Sequence, residues 1–148
     1  RPRTLNTPGI VGFSEACELS SSISGDVWSE LEKLRNEIER GLVQRIPGIR
    51  INCQDSPRVP GGSNFTIPGV DAEMMVANLD DIVISTGSAC KSGAPSPSHV
   101  LEAIGISRED SYCTLRFCLG PTILEHGDGL VDLVVSDVAR AFERIAEA

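Results

Sequence analysis

Two apolar stripes at helical spacing, one on either side of a run of short β-type segments, constrain this chain most. Val27, Leu31, Leu34, Ile38 and Leu42 recur against Glu30, Lys33, Glu37 and Arg40, predicting an amphipathic helix capped by Asp26 and ended by Pro47-Gly48. Leu130, Val134, Val138 and Phe142 align in the same way over 130–145. Between them, 49–52 and 63–67 read as short strands that pair around a turn-rich stretch, 54–62. A buried strand is predicted over 82–84, and 113–119 alternates as another. Asp71 caps a helix predicted over 72–79, and Ser96 or Ser98 caps one through Val100, Leu101 and Ile104 that stops at Gly105. Ahead of all these, Ile10, Phe13 and Cys17 predict a first helix with Cys17 on its core face, ending in a serine-rich run. The order α-α-β-β-α-β-loop-α-β-α predicts an α+β fold, a mixed sheet packed with helices.

Composition narrows what such a fold does. With 148 residues, 41% of them apolar, the chain fits one domain with an adequate core and not two large ones. Its 13 Lys+Arg against 21 Asp+Glu give a net charge of −8, which argues against direct binding to nucleic acid or an anionic membrane. No run approaches the about 18 apolar residues of a membrane span, and Arg1-Pro2-Arg3-Thr4 lacks the apolar core of a secretion signal. The expected location is the cytoplasm. The opening segment resembles the middle of a fold and has no initiating methionine, so the chain is expected to be a fragment.

Five cysteines, Cys17, Cys53, Cys90, Cys113 and Cys118, contain no Cys-x-x-Cys pair, and His99 and His126 stand at no finger-like spacing. A structural metal site or disulfide framework is therefore not expected, which leaves buried inert thiols or one reactive thiol. Cys17, Cys113 and Cys118 read as core thiols on a helix face and in a strand. Cys90 differs, because Gly87, Ser88, Ala89, Ser92, Gly93 and Ala94 around it are all small. Such a segment buries itself poorly and leaves its thiol accessible, with Lys91 close enough in sequence to favour thiolate. Composition alone leaves open a merely exposed cysteine.

Arg116 shares one strand face with Thr114 and Cys118, while Leu115 and Phe117 occupy the other. An arginine in a central strand needs an anionic partner: an internal carboxylate, or a substrate carboxylate gripped by the guanidinium fork. His99, nine residues beyond Cys90, suggests a Cys/His hydrolase only weakly, since no orienting carboxylate accompanies it. Pro60-Gly61-Gly62-Ser63 lacks a phosphate-loop lysine and reads as a turn.

Taken together, Ile84-Ser85-Thr86-Gly87-Ser88-Ala89-Cys90-Lys91-Ser92-Gly93, Pro97-Ser98-His99-Val100-Leu101 and Leu115-Arg116-Phe117-Cys118-Leu119-Gly120 resemble the C-terminal part of cysteine desulfurases of the NifS and IscS type. Thr4-Leu5-Asn6-Thr7-Pro8-Gly9-Ile10-Val11-Gly12, and Asn64-Phe65 with Pro68-Gly69-Val70-Asp71, extend the resemblance over essentially the whole chain. The resemblance implies the small C-terminal domain of the aminotransferase-like (fold-type I) pyridoxal 5′-phosphate enzymes. Residues 1–24 would connect from the cofactor domain and form the first helix, and 25–148 would be the small domain with its catalytic-cysteine loop at about 85–97. It further implies that the Cys90 thiol takes sulfur from L-cysteine as a persulfide, leaving L-alanine, and that Arg116 holds the substrate carboxylate. Asn64 matches a recurrent substrate-side asparagine, and Thr4 a threonine that reaches the cofactor phosphate across a homodimer.

The partners so implied are L-cysteine and a protein sulfur acceptor or scaffold, serving iron-sulfur cluster assembly, tRNA thiolation or DNA phosphorothioation. A non-catalytic persulfide carrier or docking module is the alternative. The chain departs from the family pattern at Arg3, where glycine is usual, at Cys118, where serine is common, and at Pro121, where arginine is frequent. Lys33 and Lys91 are its only lysines, and neither sits in the context of the family's Schiff-base lysine. The fragment alone is therefore expected to be inactive.

Overall fold

The computed structural model describes residues 4–86, 98–126 and 129–147. Helix α1 spans Thr7–Ser22 and α2 Gly25–Arg45. Strands β1 (Arg50–Ile51) and β2 (Gly62–Thr66) follow, then α3 (Ala72–Ala77) and β3 (Ser85–Thr86). The chain continues through α4 (His99–Ala103), α5 (Arg108–Ser111) and β4 (Thr114–Cys118). A 3₁₀ segment, Pro121–His126, and α6 (Leu130–Ala146) complete it. The strands form one sheet in the order β1-β2-β4-β3 with antiparallel neighbours, as an α+β fold requires.

Period-two alternation divides this sheet into unlike faces. Phe65, Ile67, Leu115 and Phe117 enter one core with Ile38 and Leu42 of α2 and Val134, Val135 and Val138 of α6. The two helices cross closely at Gly41, where an added Cβ would lie 2.6 Å from a Val135 methyl. The predicted pairing of the first two strands is present, with Arg50 opposite Thr66 and Ile51 opposite Phe65. Asp71 caps α3 as expected, accepting from the N–H groups of Glu73 and Met74.

Several expectations need correction. Cys17 is exposed, because no residue of α1 is buried. Val11 and Leu19 carry apolar surface round the helix from Ile10 and Phe13, so α1 has no single core-facing stripe, and Phe13 is 72% exposed. Ser24, not Asp26, is the N-cap of α2; Asp26 lies in the first turn, where its charge favours the helix dipole. Residues 82–84 form no strand: the Ile82 N–H donates to a side chain instead of a neighbour strand, and Val83 is 96% exposed while Ile84 is buried. Cys113 is only half-buried, its N–H closing the turn onto Asp110 ahead of β4. Cys118 is exposed on the face opposite the core.

The side chain that holds 80–82 is the fully buried Asp137 of α6. Its carboxylate accepts from the N–H groups of Asp80 (3.2 Å), Asp81 (2.9 Å) and Ile82 (3.1 Å), and from Arg140 at 2.7 Å. Arg140 also reaches Asp81 at 2.6 Å, and Arg144 reaches Asp80 at 2.7 Å. Burial alone pushes the Asp137 carboxyl up, but Arg140 and the three N–H donors outweigh it and hold it below the usual carboxylate range.

A second buried carboxylate, Glu39 of α2, accepts from Arg58 at 2.7 and 3.2 Å and from the Ser63 hydroxyl at 2.6 Å. Buried Arg35 donates to the carbonyls of Val59 and Pro60, so the turn before β2 is tied to α2. Gly61 then passes so close to β4 that a Cβ would stand 2.2 Å from the Leu119 carbonyl oxygen.

A carboxyl depressed on folding stabilises the fold fully above its unfolded value near 4, and that contribution is lost as pH falls through the depressed folded value. Replacement D137A, which strands three N–H groups and Arg140, is expected to cost about 3–5 kcal/mol at pH 7. Urea titrations of both proteins should show that difference shrinking as pH falls below about 4.

Candidate functional site

The open face of the sheet is polar, and its register is what assembles the site. Asn64 of β2 is directly opposite Arg116 of β4, and Ser85 of β3 is opposite Arg116 on the other side. The Asn52 N–H donates to the Asn64 carbonyl at 2.8 Å, so Asn52, Asn64, Arg116 and Ser85 form one row across the four strands. Two of the sequence-derived candidates, Asn64 and Arg116, are thus brought side by side.

Asn64 is held rigidly. Its Oδ1 accepts from Asn52 Nδ2 at 2.8 Å and its Nδ2 donates to the Leu115 carbonyl at 3.0 Å, leaving one amide N–H uncommitted. Beneath it, Asn52 Nδ2 donates to Thr66 Oγ1 at 2.9 Å, and the Thr66 and Thr114 hydroxyls meet at 2.8 Å. Thr114 spends its proton on the Asp110 carbonyl at 2.7 Å, so Thr66 is the donor of that pair. From Asn52 through Thr66 to Thr114, every side-chain proton is thereby directed.

Arg116 is exposed and makes no ion pair among the described residues. Its guanidinium opens on a groove of about 550 Å³ whose lining includes Asn64, Cys53, Cys118, Val100 and Ile104. The last two belong to or follow α4, which lays an apolar wall opposite the polar row. Gly105, at φ +83°, stops that helix: its N–H donates to the Glu102 carbonyl and the next N–H to Leu101. That double closure needs a left-handed residue and is the predicted glycine stop.

The remaining candidates are placed less centrally. Thr4 is exposed ahead of α1 and is not among the groove-lining residues. Cys90 and Lys91 lie outside the described residues. Lys33 is exposed on α2, on a different crevice, and His99 heads α4 without lining the groove. Among the described residues no His/Cys/Asp/Glu cluster fit for a metal is present, and no helix is long and apolar enough to cross a membrane.

Sequence reasoning missed Asn52, the wall made by Val100 and Ile104, and the presence of two thiols, Cys53 and Cys118, in the groove. Asn52 had a signal in the pairing of 49–52 with 63–67, which sets it opposite Asn64. Cys53 had none, since its left-handed conformation, φ +54°, is a property of the turn. Cys53 and Cys118 are both free thiols.

Comparison with known proteins adds an independent line. The aminotransferase class-V family profile matches residues 2–125. The chain is 37% identical over 144 residues to a protein named cysteine desulfurase IscS from Anaeromyxobacter sp. (strain Fw109-5), covering 97% of the chain and 36% of that protein. It is 40% identical over 124 residues to a cysteine desulfurase IscS from Clostridium botulinum (strain Hall), covering 81% and 31%. The solved structure of a NifS-like protein from Rickettsia africae ESF-5 superposes on the whole chain with a TM-score of 0.74 at 25% identity, over 37% of its own length. The chain thus spans about a third of the length of these relatives.

The hydroxyl chain under the groove makes a direct test of its rigidity. Replacement T66V removes one donor and one acceptor from a fully buried position at nearly constant volume. A loss of about 1–3 kcal/mol is expected in chemical denaturation. T66S, which keeps the hydroxyl, should cost less.

Proposed function

Because the chain belongs to the aminotransferase class-V family, we propose that it is the C-terminal region of a cysteine desulfurase, acting on L-cysteine and passing the sulfur to an acceptor. In the overall reaction, L-cysteine and the Cys90 thiol give L-alanine and a Cys90 persulfide. One C–S bond breaks and one S–S bond forms, with no external oxidant.

The observation that carries this reading is the guanidinium of Arg116, without an ion pair among the described residues, beside Asn64 at the head of a groove of substrate size. A planar fork with no anionic partner among the described residues is suited to an α-carboxylate, which it binds bidentately. Asn64, locked by its two bonds, offers its remaining N–H to the same substrate, and the apolar wall of α4 sheds water from the other side. Ser85 and Thr86, paired with Arg116 and Leu115, carry the chain toward Cys90 four residues on. That proximity in sequence supports Cys90 as the thiol that meets the bound substrate. A simple persulfide carrier has no use for the Arg116–Asn64 pair.

Pyridoxal 5′-phosphate, the family's cofactor, supplies an electron sink when bound. The described residues do not fit it by themselves: the groove lining contains no lysine, and Lys33 stands on the exposed side of α2. They account for holding the substrate and not for anchoring the cofactor. Thr4 is assigned to the cofactor phosphate of a partner subunit in a homodimer. In the same reading, 1–24 is the connection from a cofactor domain and 25–148 the small domain, with a cytoplasmic protein as the sulfur acceptor. That none of the α1 residues is buried supports the division.

Alanine release from L-cysteine, measured with this chain joined to the upstream part of the enzyme, tests the proposal. C90S is expected to abolish turnover. R116Q should lower kcat/KM about 10- to 100-fold, the worth of a charge-assisted bidentate contact, chiefly through KM. Full turnover by C90S, or an unchanged KM in R116Q, overturns the reading.

A further inference from the structure

The groove holds more sulfur chemistry than one substrate site requires. Cys118 follows Arg116 by two residues on the same strand face, so about 7 Å of backbone separates the two Cα atoms and both side chains stand on the open face. Its cross-strand partner on β2 is Gly62, which contributes no side chain beside the thiol. Cys53 reaches the same groove from the turn after β1, and both thiols are free. Two exposed thiols and a guanidinium with no ion pair among the described residues therefore share one cavity.

We infer that this cluster is a sulfane-sulfur acceptor site, in which Cys118 takes the outer sulfur of a persulfide or polysulfide anion drawn in by Arg116. The charge decides between the soft ligands that thiols favour: a guanidinium in the groove opposes a metal cation and attracts an anionic sulfur donor. The step is an exchange, RS–SH + Cys118–SH giving RSH + Cys118–S–SH. The Cys118 sulfur attacks the outer sulfur of the donor, the donor S–S bond breaks as the new one forms, and the departing RS⁻ takes up the thiol proton. Neither an oxidant nor a reductant is needed.

The inference extends the sulfur-handling reading above, and its test is separate from it. In a C90S background, the chain is treated with sodium tetrasulfide, for which the same exchange releases trisulfide, and persulfidated peptides are quantified by mass spectrometry. Cys17, exposed on α1 and outside the groove, is the internal reference. Cys118 is expected to gain sulfur about fivefold faster than Cys17, the factor a unit charge a few ångströms away supplies in a high-dielectric groove. Neutral iodoacetamide should show no such preference. R116Q should bring the tetrasulfide ratio down to the iodoacetamide ratio, and R116K, which keeps the charge, should preserve it. Equal labelling of Cys118 and Cys17, label on Cys53 in place of Cys118, or a preference that survives R116Q overturns the inference. None of these results bears on Cys90, which is absent from every sample.

Discussion

The register between β2 and β4 decides which side of the sheet every central residue occupies. Phe65 is opposite Leu115 and Asn64 opposite Arg116, so apolar and polar rows alternate in step on the two strands. A slip by one residue would turn Arg116 and Asn64 into the helix-covered core and expose Phe117 and Leu115, an exchange costly on both faces. The site is therefore a by-product of the same alternation that builds the core. Its geometry is as secure as the packing of Phe65 and Leu115, both fully buried.

Two buried carboxylates then fix the sheet's borders, each from a different helix. Glu39 draws in the turn before β2 through Arg58 and Ser63, which sets where β2 begins and hence which residue faces Arg116. Asp137 captures three consecutive N–H groups just before β3, so the segment reaches Ser85 in position to pair with Arg116. Burying a carboxylate is unfavourable unless its lone pairs are used; Asp137 accepts four hydrogen bonds and Glu39 three. The helices thus do more than cover apolar surface: they locate the strands along their own axes.

This division explains what could be read in the sequence. Arg116 and Asn64 were legible because strand faces follow from a local period of two, and the caps at Asp71 and Gly105 because each is satisfied within its own turn. The 82–84 segment was misread because Ile-Val-Ile is strand-like in composition, yet its first N–H is claimed by Asp137, fifty-five residues away. Cys17 was misread for the opposite reason: helical spacing shows which residues share a face, and only a packed surface makes that face a core. The wall formed by Val100 and Ile104 depends on where α4 lies over the sheet, a non-local fact with no pattern in the residues themselves.

Cys118 brings these strands of argument together. In an isolated β-pattern, a cysteine next to Phe117 reads as packing, since cysteine is among the most buried residue types. The register assigns it instead to the face of Arg116, and the tie of Gly61 to Leu119 keeps the end of β4 close against the turn that precedes β2. With glycine opposite it on β2, the exposed thiol has no side chain across from it on that strand. A residue so placed contributes little to stability, while the charge beside it gives its surroundings a definite preference for anions. The physical reason to regard it as chemical is that the fold gives it access and a cation and gives it no core.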